Sequence, residues 1–318
     1  MRSFAVKRPV LAHFLLAVLI ASLVMVWSIA RAITDPPSAA AMGTMIANIY
    51  GGPWYANIAT ITIEAVRDPS LFGIFVFAAA PTIAALILAA AGAGGGLKPL
   101  LRRLSPFGPG RSRSDALKLY VGLFAVYTLG FVIYDFVAGY EVTAGARLSG
   151  PGLGLALGAL VGIFIDEGGT LEELGWRGFA FPLLQDRMSS PLAAALLLGV
   201  IHWAWHLPRE VPNALGGMPL DAWVSGQLLF LFLCVVLSIV AGYCVNRAGG
   251  SVWPAIFVHG GSNVWAKGMG EDVAASFNLV DLRTLILTII ALVIVAVVGR
   301  NLGRARADHP ARGRTVPA

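Results

Sequence analysis

Three short stretches of this 318-residue chain set ionisable and amide side chains inside otherwise apolar sequence: Asp166 to Arg177, His202 to His206, and His259 to Asn263. An ionised carboxylate at the centre of a helix in lipid costs about 2.5–3.5 kcal/mol on insertion scales, so such groups need partners or a water-filled cavity. The first stretch reads Leu171-Glu172-Glu173-Leu174-Gly175-Trp176-Arg177-Gly178. On a helix Glu173 and Arg177 share a face and can pair. Glu172 is turned by about 100° from Glu173 and points elsewhere. Without a local counter-ion, Glu172 is the better candidate for a general base. The competing reading is a charged helix end at the membrane surface, which the nearby Asp166 and Glu167 also suit.

The second stretch reads His202-Trp203-Ala204-Trp205-His206. Its two histidines are four apart and share a face, as metal ligands on one helix can, but the Glu of the zincin motif H-E-x-x-H is missing. A histidine in an interfacial aromatic belt is the alternative. The third stretch reads His259-Gly260-Gly261-Ser262-Asn263. His259 and Asn263 share a face and can both donate to a developing oxyanion. The two glycines admit the close approach of another helix or of a substrate backbone; interhelical packing alone would also explain them. Together the stretches hold a Glu, two or three His and an Asn, the parts needed to activate water and hold an oxyanion. A serine nucleophile at Ser262 fits poorly, because Ser262 sits off the His259 face.

These groups must be positioned by membrane helices. The chain is 57% hydrophobic and 13% charged, against about 25% charged in soluble domains. Lipid must solvate most of that apolar surface. The expected fold is all-α: a polytopic transmembrane bundle of about eight spans, near 9–30, 71–93, 117–138, 152–167, 190–206, 222–245, 252–267 and 281–299. The first run exceeds the h-region of a signal peptide, about 7–15 residues, and reads as a retained span. The stretch 151–186 could be one long helix or two. Residues 32–70 form the longest outer loop and 94–116 a basic inner loop. The net charge of +6 falls in short Lys/Arg clusters between apolar runs, which speaks for topology and against nucleic acid. With a cytoplasmic N-terminus, seventeen of the 23 Lys and Arg fall inside, so both termini are expected in the cytoplasm. Cys234 and Cys244 lie in one apolar run and imply neither a disulfide framework nor a thiolate zinc site.

The order of motifs, Glu172-Glu173-x-x-x-Arg177, then His206 in Trp-His-Leu-Pro, then His259-x-x-x-Asn263, resembles the CPBP family. That family contains the type II CAAX prenyl endopeptidases and bacterial relatives that include bacteriocin-immunity proteins. The resemblance covers roughly 150–267. It implies that Glu172 activates water, that His206 is its partner, and that His259 and Asn263 stabilise the oxyanion. Glu173 and Arg177 would support them. The family's second motif has an aromatic residue where His202 stands here; His202 could be an extra ligand, a proton shuttle or a neutral replacement, and neutral replacement is the favoured reading. Two histidines and a carboxylate could bind one zinc ion with an open position; a metal-independent glutamate mechanism is the other course.

The organisation expected is N-terminal helices and loops over 1–150, a CPBP-like catalytic core over 151–267, a last span within 268–303 and a basic disordered tail over 304–318. The function expected is an intramembrane endopeptidase acting on a peptide or membrane-protein substrate near the lipid surface, in a bacterial cell membrane. The alternatives are a non-catalytic immunity or scaffolding protein and, further off, a transporter. One tension remains in this reading: Glu172 and His206 fall at different heights if the spans end as drawn.

Overall fold

The computed structural model describes residues 2–37, 57–108, 113–138, 160–276 and 282–304, and among them every regular element is helical. In chain order these are α1 (Arg2–Lys7), α2 (Pro9–Thr34), α3 (Ile58–Arg67), α4 (Phe72–Ala90), α5 (Leu97–Arg102), α6 (Arg113–Ala138), α7 (Glu167–Glu173), a π-helical segment (Leu174–Ala180), α8 (Phe181–Gln185), α9 (Pro191–Leu215), α10 (Leu220–Arg247), α11 (Trp253–Ser276) and α12 (Leu282–Val298). A further turn of helix covers 160–165. Among the described residues, five helices are long and apolar enough to cross a membrane: Pro9–Thr34, Phe72–Ala90, Pro191–Pro212, Leu220–Arg247 and Arg283–Asn301. The protein is an all-α helical membrane bundle. The tail from 305 and the segments 38–56 and 139–159 lie outside the described residues.

Several expected boundaries shift. The 152–167 run does not continue into the next helix: its described part ends at 165, and α7 starts after Asp166. Asp166 adopts extended backbone and caps α7 by accepting from the Gly169 N–H at 2.7 Å. An N-cap aspartate satisfies one of the orphan N–H groups of the first turn. The span expected to end at His206 continues to Leu215, through Pro208 and Pro212, so His206 lies inside the helix. Ser190 caps its start, with Pro191 at the first helical position. The loops expected over 94–116 and 32–70 also hold short helices, α5 and α3.

One end of the bundle is tied shut. Arg103 donates to the Gly250 carbonyl, Trp253 Nε1 donates to the Leu104 carbonyl at 2.6 Å, and Arg304 pairs with Asp186 at 3.0 Å. Asn246 links Gln185 to the Leu302 carbonyl. Above these ties an apolar plug, including Ala12, Leu88, Leu100, Phe179 and Val252, packs among α2, α4, α5, α11 and the π segment.

Candidate active site

The site is built on a helix that changes winding. Pro81 inside α4 has no N–H and leaves a gap in that helix's ladder. The π segment docks at this gap. Its Gly175 lies so close to Pro81 that a Cβ would collide with the Pro81 carbonyl, and its N–H donates to Thr82 Oγ1 at 3.2 Å. Only glycine fits there. Pro81 also accepts from His13 Nε2 of α2 at 2.8 Å, and the buried His13 ring meets Trp176 edge-on. Short π-helical turns are frequent at functional sites.

The helical turn points the two glutamates to different faces. Glu173 pairs with Arg177 at 2.7 Å, both fully buried, as the four-residue spacing predicts. Arg177 also donates to Ser238 Oγ on α10 at 3.0 Å. The same Glu173 oxygen lies 2.8 Å from His259 Nδ1. Glu173 therefore orients the histidine of the third stretch as well as neutralising Arg177, a role that spacing within one helix could not reveal. Glu172 faces the other way. Its Oε2 receives His202 Nε2 at 2.9 Å and Trp176 Nε1 at 3.3 Å.

His202, expected as a neutral replacement, is the histidine in contact with Glu172. His206, expected as that partner, lies one turn on. Its ring sits 5.3 Å from that of His202, and its Nδ1 is buried without a hydrogen-bond partner among the described residues. The break at Asp166 removes the tension in height, because Glu172 now stands beside the middle of α9.

The third stretch is seated by glycine contacts. Gly260 faces the Ile163 carbonyl, Gly169 faces the Gly260 backbone, and Gly261 packs on the Tyr127 ring. This close approach lets Asn263 Nδ2 donate to Asp166 Oδ2 at 2.9 Å. A Cβ at Gly168 would stand 2.9 Å from Asn263 Nδ2 and 3.4 Å from His259 Nε2, so both nitrogens converge over a bare stretch of backbone. The Ser262 hydroxyl donates to the His259 carbonyl at 2.9 Å.

One cavity of about 680 Å³ takes in Glu172, His202, His206, His259 and Asn263. Its wall includes Arg209, Arg283 and the buried thiol of Cys234. All four expected catalytic side chains thus meet in one space, with His202 among them, while Glu173 and Arg177 stand behind. Asp166, Ser238 and His13 escaped the sequence reading as site residues. A buried histidine in an apolar span and an aspartate ahead of Gly-Gly were the available signals.

Donor atoms of Glu172, His202 and His259 lie within 4.8 Å of one another. With His259 Nδ1 held by Glu173, the ring presents Nε2, as in carboxylate–histidine–metal arrangements. The donor set suits a zinc-like ion.

This geometry belongs to an integral membrane protein with an interior polar site. Residues 150–265, which contain all three polar stretches, match the family described as Rce1-like, type II CAAX prenyl endopeptidase Rce1-like. A 44-residue segment is 48% identical to a protein named CAAX prenyl protease 2 from Methanococcus maripaludis, covering 14% of this chain and 16% of that relative. The match thus spans about a sixth of that curated relative's length. These findings bear out the resemblance read from the three polar stretches.

Proposed function

We propose that the protein is an intramembrane endopeptidase in which Glu172 activates a water molecule against a peptide carbonyl. The observation that carries this reading is the meeting of Glu172, His202, His259 and Asn263 in one cavity inside the bundle. The cavity is large enough for a short extended peptide and within the usual range of binding sites, about 300–1,000 Å³. Glu172 takes the proton of the attacking water. His202 and Trp176 hold its Oε2 and fix the carboxylate plane. The carbonyl oxygen, as it gains charge, is met by Asn263 Nδ2 and by His259 Nε2 when that ring is an imidazolium. Asn263 has a second N–H beyond the one given to Asp166. Glu173, anchored by Arg177, keeps the His259 ring turned toward the cavity. A zinc ion on Glu172, His202 and His259 would supply Lewis-acid polarisation of the carbonyl and a more acidic water.

The protein resides in a cell membrane with both termini in the cytoplasm, on the Lys/Arg distribution. The test is Glu172→Gln in membranes containing candidate substrates. Cleavage falls by at least about 10²-fold, the scale of a lost general base, while insertion and expression persist. Undiminished cleavage ends the assignment. A cellular phenotype that survives the substitution would favour the non-catalytic immunity or scaffolding role.

A further inference from the structure

The cavity has a direction. On α2 its lining residues are Val24, Met25, Trp27 and Ser28, all in the second half of the helix, and on α4 they reach from Gly73 to Ala78, all in the first half. On α12 the lining residue is Arg283, at the start. Trp27 is 44% exposed there. The space therefore runs from Glu172, in mid-bundle, to the end where α2 finishes and α4 and α12 begin. That end is joined by the Arg31–Asp68 pair at 4.0 Å. The opposite end is the one sealed by Arg103, Trp253, Asn246 and Arg304, beneath the apolar plug.

The two ends differ in charge. The sealed end carries Arg8, Lys98, Arg102, Arg187, Arg247 and Arg300, among others, with Asp115 and Asp186. The open end carries Asp35, Glu64, Asp68, Glu167, Glu210 and Asp221 alongside four arginines. Basic loops are retained in the cytoplasm. Resting on the peptidase reading, we propose that the Glu172 cavity opens to the extracytoplasmic face, and that its substrate is an extended polypeptide segment entering from that face or from the outer leaflet. A C-terminal peptide presented in the cytosol would meet the sealed end.

The test is independent of catalysis. Ser28 lines the mouth and Ser105 is exposed at the sealed end. Ser28→Cys and Ser105→Cys are made singly in the full chain carrying Cys234→Ser and Cys244→Ser. Each is treated with a membrane-impermeant maleimide in right-side-out and in inside-out vesicles, with full labelling in detergent as the reference. Ser28→Cys is expected to react at least about 10-fold more in right-side-out vesicles, and Ser105→Cys the reverse. The opposite pattern, or equal labelling from both faces, overturns the proposal. The same labelling is repeated with Glu172→Gln. The expected pattern together with cleavage unaffected by that substitution would uphold the sidedness and remove the peptidase reading alone.

Discussion

The two neighbouring glutamates do different work because their partners differ. Glu173 is committed to Arg177 and His259, whereas Glu172 faces the cavity with a histidine and an indole on one oxygen. Breaking the buried pair by Arg177→Met leaves an uncompensated carboxylate and should cost about 3–5 kcal/mol, seen as a lowered thermal midpoint in detergent. At α9 the contact to Glu172 belongs to His202, so His202→Phe should cut turnover more than His206→Phe, by about tenfold or more if it removes a charge-assisted hydrogen bond worth roughly 1.5–3 kcal/mol. Equal losses, measured as kcat on one substrate, would return the role to His206. Spacing along one helix made Glu173–Arg177 and the face of His259 and Asn263 legible in the sequence. Glu173–His259 and Asp166–Asn263 were not legible, since each joins two elements whose relative rotation is set by packing. The contact of His202 with Glu172 was not legible either, since it too joins two separate helices.

At the level of elements, glycines decide how near the helices come. Gly260 meets the Ile163 carbonyl, and any side chain there would push α11 away and carry His259 with it. Gly260→Val should therefore lower both stability and cleavage. Gly122 of α6 has open space where its Cβ would stand, so Gly122→Ala should leave activity intact and stabilise by up to about 1 kcal/mol. Thermal unfolding of the pair separates backbone contact from mere helix propensity. The Gly-Gly pair announced close approach in the sequence, though not which partner approached. The apolar runs announced most of the helices and left open whether 151–186 was one helix or two; the break falls at Asp166, which caps α7. They also missed the π winding, whose Gly175 packs against Pro81 of a distant helix.

Taken as a whole, the molecule is a bundle whose polar interior stops halfway. The sealed end, with its ion pair and apolar plug, leaves the Glu172 cavity as a blind pocket among the described residues. That has an electrical consequence. Moving one elementary charge through a full membrane potential is worth about 2.3 kcal/mol per 100 mV. In a blind aqueous pocket nearly all of that drop falls across the dry half, beyond the reacting groups. Protons exchanged with Glu172 thus travel through almost no field. Turnover in proteoliposomes should stay the same, within about 20%, when a potassium diffusion potential of either sign is imposed, since the work on such a proton is a small fraction of that figure. The bundle would then hydrate a reaction centre without short-circuiting the bilayer in which it sits.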